Sequence, residues 1–343
     1  MTLRISARAL RTAYRLLTTL RPRGAARYPG EPAAAVFQGD AQPGASGAAS
    51  AAPALAAAPI PPRIWTYWDT EAADPMVDQC VANWRAHCPG FDVQVIHRRN
   101  IGDFVAAGDL PAGFAQLHPT KQSDWVRLYL VRHHGGYWLD ATILLTRSPA
   151  WMDALRQAHG AEFTGFYLEG YTRDARFPVV ESWAFGAPAQ APFVVAWQDE
   201  FHRALVTEGT DAYLARLRDR EDAGTLLQGI PDPAYLLIHV AAQQVLRRAN
   251  TFRLALFKAE DTAFFYQKAL GWKWYLLYPR LCLVPAEPHP APLVKLRGGE
   301  RRHFAALFEQ HGGPAHGSLW ERACRGNASH ASGREGPRRS TAA

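Results

Sequence analysis

Cysteine and methionine are scarce here: four cysteines and three methionines in 343 residues. Cys80, Cys88, Cys282 and Cys324 form no C-x-x-C pair, and none stands in a Cys/His run with zinc spacing. That argues against a disulfide scaffold and a structural zinc module, and the four read as free thiols of a reducing compartment. Long apolar runs are also missing, since nothing approaches the roughly 18–20 consecutive apolar residues a membrane span needs. The first residues, MTLRISARALRTAYRLLTTLRPRG, lack the uninterrupted apolar core of a secretory signal. The middle of the chain lacks excess charge. Residues 1–60 carry seven Arg against two acids, and residues 321–343 five Arg against two acids. The tails therefore hold +5 and +3 of the net +7, which leaves residues 61–320 at −1. This offers no basic footprint for a phosphodiester backbone, so nucleic acid is not an expected partner.

What is present falls into three stretches. Residues 1–60 read as a basic N-terminal segment and an Ala/Pro/Gly-rich linker, both disordered. Within that segment Arg4, Arg8, Arg11 and Arg15 recur at helical spacing beside Ile5, Leu10, Leu16, Leu17 and Leu20. Such a helix could lie on an anionic membrane surface, which makes peripheral contact with the inner face of the cytoplasmic membrane an expectation. Residues 61–311 read as a single α/β domain, and residues 312–343 as a disordered tail. In the domain, RIWTYW and FDVQVIH have strand character around a helix-period segment, ADPMVDQCVANWRAHCPG. FTGFYLEG and VVESWAFGA follow as strands, and PFVVAWQDEFHRALV and PAYLLIHVAAQQVLRRA as helices. This alternation predicts a largely parallel sheet covered by helices.

The stretch KQSDWVRLYLVRHHGGYWLDATILL, residues 121–145, carries the chemistry. It reads as a helix capped by Ser123, a glycine stop at Gly135-Gly136 and a strand running through Leu145. Asp124 and Arg127, three apart, share a helix face, and Asp124 falls in the first turn. On the strand, Trp138, Asp140, Thr142 and Leu144 would share a face. Charged groups in elements this apolar cost several kcal/mol unless paired or set at the mouth of a cleft. In parallel α/β sheets clefts form at the carboxyl ends of strands. Carboxylates accept from hydroxyls or hold a divalent cation, and Arg takes phosphate or sugar oxygens. A satisfied buried ion network is the other outcome that the spacing allows.

The segment SDWVRLYLVRHHGGYWLDAT resembles the core motif of glycosyltransferases with a DXD-type sugar-binding region, most closely the bacterial capsular polysaccharide synthesis family. IPPRIWTYWD resembles that family's first strand, and the likeness extends over roughly residues 60–300. It implies a GT-A-like nucleotide-diphospho-sugar transferase fold, a Rossmann-like mixed sheet flanked by helices. It also implies a cytoplasmic enzyme that moves a sugar from a nucleoside diphosphate sugar to a glycan or lipid-linked acceptor hydroxyl, with a hexosyltransferase that retains configuration as the expected type. By the same resemblance Trp65 would lie near the donor base, Asp124 and Arg127 at the donor sugar, and Asp140 at ribose, sugar or metal. Arg127 would stabilise the leaving diphosphate. Thr142 stands where a strict DXD motif has its second acid, so Asp140 is the one expected protein ligand for Mn²⁺ or Mg²⁺.

Glu181, His239, Lys295 and Arg297 are further candidates, with Trp272 and Trp274 as possible sugar-stacking aromatics. His133-His134 read as helix C-terminal partners. Two other functions compete. One is a nucleotide-sugar or glycan-binding protein without turnover. The other is a metal-dependent phosphoesterase, which needs more converging acids and histidines than Asp124 and Asp140 supply.

Overall fold

A computed structural model describes residues 6–20, 27–38, 57–70, 74–248 and 252–325. The strands are β1 (Ala34–Gln38), β2 (Arg63–Tyr67), β3 (Asp92–Ile96), β4 (Gly136–Leu139), β5 (Ile143–Leu145), β6 (Phe163–Tyr167), β7 (Val180–Ala187), β8 (Arg253–Lys258) and β9 (Leu293–Lys295). Seven of them form one mixed sheet in the order β1, β8, β6, β7, β4, β2, β3, and β5 pairs with β9 separately. β3, β2 and β4 run parallel. β7 is antiparallel to both β4 and β6, β6 and β8 are parallel, and β1 closes the edge antiparallel to β8.

The helices are α1 (Ala7–Leu20), α2 (Pro75–His87), α3 (Pro119–His134), α4 (Ala150–Ala158), α5 (Pro192–His202), α6 (Thr210–Arg218), α7 (Ala223–Leu227), α8 (Leu237–Arg248), α9 (Phe265–Ala269), α10 (Trp274–Cys282), α11 (Gly298–His311) and α12 (Leu319–Arg325). Strand alternation divides them between the two faces of the sheet. Ile64 and Tyr137 look toward a core shared with α2, α4, α10 and α11. Trp65 and Trp138, their strand neighbours, look toward a core built with α3, α5 and α8. Strands buried on both faces read as near-continuous apolar runs, which is why β4 and β7 show no polar alternation. The mixed α/β architecture agrees with the expected fold class, but the sheet is not the largely parallel one that the alternation predicts, because β1 and β7 run antiparallel to their neighbours.

The ends of the chain depart from expectation. Within residues 1–60, Ala7–Leu20 is helical and Ala34–Gln38 is an edge strand, while residues 39–56 lie outside the described residues. The strand forms because β8 presents an unpaired edge to it, which composition cannot register. Leu10 and Tyr14 of α1 are buried against the domain, while Arg8, Arg15 and Leu16 face outward. The folded part also passes residue 311. Trp320 of α12 is fully buried, its indole N–H donating to Gln79 Oε1 at 2.9 Å, and Asn83 Nδ2 donates to the Ala323 carbonyl at 2.7 Å. This helix is seven residues long, too short for periodicity to announce it. Among the described residues no helix is long and apolar enough to cross a membrane.

Candidate functional site

The site forms where β4 ends. α3 stops at Gly135 (φ 64°), and Gly136 (φ 106°) starts the strand. A Cβ on Gly135 would stand 2.7 Å from the Ala189 amide nitrogen, and one on Gly136 2.8 Å from the Arg63 carbonyl oxygen. Only glycine allows helix and strand to meet this tightly. β4 then runs four residues and breaks at Asp140, whose amide still donates to the Trp183 carbonyl of β7 at 2.8 Å. A turn closes as the Ile143 amide donates to the Asp140 carbonyl at 3.0 Å. The chain leaves the main sheet there and pairs as β5 with β9, setting Ile143 opposite Lys295. The single long strand expected through Leu145 is therefore two strands separated by a turn. Trp138 and Thr142 consequently do not share a strand face.

Arg127 lies at the centre of the charged groups. Its Nη1 donates to the Ser182 hydroxyl at 2.6 Å and the Ser182 carbonyl at 3.0 Å. Its Nη2 reaches the Ser123 hydroxyl at 3.0 Å, Asp124 Oδ1 at 3.2 Å and Asp140 Oδ1 at 3.3 Å. The guanidinium also lies 5.1 Å from the centre of the Trp138 ring. Lys295 Nζ approaches the other oxygen, Asp140 Oδ2, at 2.8 Å and Thr142 Oγ1 at 3.1 Å. Thr142 Oγ1 donates to the Leu296 carbonyl at 3.1 Å, which turns a lone pair toward the ammonium.

The two carboxylates are poised differently. Burial pushes the Asp124 carboxyl above its ordinary range, against the pull of Arg127 and Lys121. Burial also acts on Asp140, but Lys295 and then Arg127 outweigh it and hold the carboxyl below its ordinary range. Asp140 thus stays ionised at neutral pH. Its side chain keeps 25% exposure where Asp124 keeps 5%, so a ligand reaches Asp140 first.

These groups line a cavity of about 540 Å³, within the ~300–1,000 Å³ typical of small-molecule sites. Across it stand Glu181 of β7 and His239 of α8, with His239 Nε2 at 3.0 Å from Glu181 Oε2. The Glu181 carboxylate accepts, so His239 Nε2 is the donor of this bond. Nδ1 of His239 and Nε1 of Trp183, both buried and both from residues of the cavity wall, have no hydrogen-bond partner. Unmet buried polar atoms of this kind cost about 1–3 kcal/mol each. Trp272 forms part of the rim with a strained backbone (φ 62°), and the Arg297 guanidinium lies 4.9 Å from its ring centre.

Of the sequence candidates, Asp124, Arg127 and Asp140 come together as expected. Trp65 does not join them. It is fully buried in the core of the α3 face, its N–H donates to the Gly135 carbonyl at 2.8 Å, and it sits mid-strand opposite Trp138. Tyr67 is the last residue of β2, and its hydroxyl donates to Gln122 Oε1 at 2.6 Å. Thr142 takes part only through Lys295 and Leu296 and lies behind the cavity wall. Ser123 caps no helix: α3 begins at Pro119 with the His118 ring accepting from the Thr120 amide. That places Asp124 in the second turn, away from the strongest pull of the helix dipole. Trp274 stacks on His303 at 4.0 Å, outside the cavity. Glu181, His239 and Lys295, side candidates in the sequence, also line the cavity. The available signal was a charged residue within each of the apolar runs VVESWAF, YLLIHVAA and LVKL.

The protein family described as capsular polysaccharide synthesis protein matches residues 53–205, which bears out the resemblance seen in the central motif. A solved structure titled "PaToxG Glycosyltransferase" is 12% identical over 77% of this chain and 97% of that one, with a TM-score of 0.29. No curated protein matches the sequence.

Proposed function

We propose that the chain is a glycosyltransferase of GT-A-like fold that moves a hexosyl group from a nucleoside diphosphate sugar to a hydroxyl of a growing surface glycan. The observation that carries the reading is Asp140 at the carboxyl end of β4, ionised between Arg127 and Lys295 and open to a cavity of about 540 Å³. In the reaction the bond between the sugar's C1 and the diphosphate oxygen breaks, and its electron pair leaves with the diphosphate. The acceptor oxygen bonds to C1 and gives up its proton. Asp140 would orient sugar or ribose hydroxyls, while Arg127 would stabilise the charge that grows on the leaving group. Preorganised donors suit this task because they need no reorganisation during the reaction.

Retention of configuration needs no strong protein base, since the leaving diphosphate can take the acceptor proton. The Glu181–His239 pair favours a second reading, inversion. In that reading the acceptor proton would pass to the Glu181–His239 pair. NMR of the product anomer separates the two. The outward face of α1, with Arg8, Arg15 and Leu16, supports peripheral contact with an anionic membrane that carries lipid-linked acceptors.

The test is a panel of UDP-, GDP-, dTDP- and CMP-sugars incubated with purified protein, with released nucleotide measured beside the Asp140→Ala variant. Release from one donor, lost in the variant, supports the transferase. Donor binding by thermal shift without release from any donor favours a protein that holds nucleotide sugar or glycan without turnover.

A further inference from the structure

The divalent cation expected from the motif meets a different occupant. A metal bridging the two side chains of the Asp-Ala-Thr turn would sit between Asp140 and Thr142. The Lys295 ammonium occupies that place, 2.8 Å from Asp140 Oδ2 and 3.1 Å from Thr142 Oγ1. The remaining acceptor, Asp140 Oδ1, faces Trp138 Nε1 at 3.1 Å and Arg127 Nη2 at 3.3 Å. Every Asp140 oxygen is thus already directed at a protein donor. Among the described residues, no group of three or more His, Cys, Asp and Glu is arranged to hold a metal ion. Oxygen-seeking cations prefer several carboxylates, and the second position here is a neutral hydroxyl. The residues present do not fit the metal.

From this geometry we infer that the Lys295 ammonium replaces the divalent cation, so that the protein binds the diphosphate of its donor and transfers sugar without metal. This rests on the transferase reading above. Lys295 is well placed by its surroundings. Its amide donates to the Ala263 carbonyl at 3.1 Å, and its carbonyl accepts from Gln267 Nε2 at 2.7 Å. β9 pairs with β5 only three residues after Asp140, so one short sheet sets both members of the ion pair. A lysine is a compact charge with three rotatable donors on a flexible stem. It can turn from Asp140 to a phosphate oxygen as the donor enters, while Arg127 keeps hold of Asp140. The cavity gains a counter-charge for the leaving group without the geometric demands of a metal shell.

The experiment uses the full chain stripped with EDTA, its metal content checked by elemental analysis. Binding of UDP and GDP is measured by calorimetry and turnover on the donor panel, each with EDTA and with Mn²⁺. The expected result is nucleoside diphosphate binding and turnover within about twofold between the two conditions. Lys295→Met should weaken nucleoside diphosphate binding at least tenfold and lower kcat/KM by about 10²–10³, the order lost with one donor that stabilises transition-state charge. Lys295→Arg, which keeps the charge, should recover most of the binding and controls for a folding defect in the first variant. Turnover that EDTA abolishes, or Mn²⁺ that tightens binding tenfold in the wild type, overturns the inference and leaves the transferase standing. Failure to bind or turn over any donor in either condition removes the transferase reading and this inference with it.

Discussion

Among the described residues, two buried Asp-x-x-Arg pairs share the same helical spacing with opposite consequences. In α4, Asp153 and Arg156 are 2.7 Å apart, and Arg156 has no exposed side-chain surface. Its other donors reach the carbonyls of Ala161 at 2.6 Å and Ala58 at 2.5 Å. The second Asp153 oxygen takes the Ile60 amide at 3.1 Å and Gln157 Nε2 at 2.8 Å. This pair latches the chain that enters β2 onto α4, and neither residue lines the cavity. In α3, Asp124 and Arg127 face the cavity, and Arg127 reaches onward to the partly exposed Asp140. Spacing alone does not separate latch from site. The separation comes from what the guanidinium's remaining donors meet: backbone carbonyls in one case, the wall of an open cavity in the other.

Substitutions can break or sharpen that contrast. The largest effect is expected from Asp153→Ala, which leaves Arg156 buried without its partner and should cost about 3–5 kcal/mol of stability in denaturant unfolding. Activity per folded molecule should be unchanged. A loss of turnover in a fully folded variant would place the latch in the site after all. Asp140→Ala should behave the other way, with nucleotide release lowered by about 10²–10³ and the thermal midpoint moved by a few degrees at most. A collapse of stability there would recast the cavity network as structural.

Glu162 supplies a third kind of buried carboxylate, one with no cation beside it. Its Oε1 accepts from the Phe193 amide at 2.8 Å at the start of α5, and burial pushes its pKa up from 4.5 to about 7. The folded-state value is the raised one. Below pH 4.5 the group is protonated in both states and costs nothing. As pH rises toward 7 the unfolded chain releases the proton first and stability declines. Glu162→Gln should therefore match the wild type near pH 4 and exceed it by about 3 kcal/mol at pH 8, as measured by urea titration. Equal stability at both values would show the carboxylate already satisfied. The smallest effect belongs to Trp65→Phe, which removes the bond to the Gly135 carbonyl. It should cost about 1–2 kcal/mol and leave donor KM unchanged, whereas a raised KM would return Trp65 to the binding site.

Much of the frame was legible in the chain. Burial of β2, β4 and β6 follows from their apolar and aromatic residues, and the stop at Gly135-Gly136 follows from backbone freedom that glycine alone has. Asp124, Arg127 and Asp140 stood out because each is charged within an apolar element. Less legible were the start of α3, where a histidine ring replaces the expected serine cap, and the break at Asp140. That break occurs because β5 gains a partner in β9, about 150 residues downstream, which no local pattern reports.

By itself, then, the sequence determined the α/β alternation, the helix–glycine–strand motif and the charged triad, because these rest on local periodicity and on the cost of burying charge. Tertiary structure alone decided that the Lys295 ammonium meets Asp140, that Glu181 and His239 face the same cavity, and that Trp65 stays in the core. Each of these depends on side chains from distant strands and helices converging in space, and convergence is set by sheet order and packing, which local chemistry does not encode.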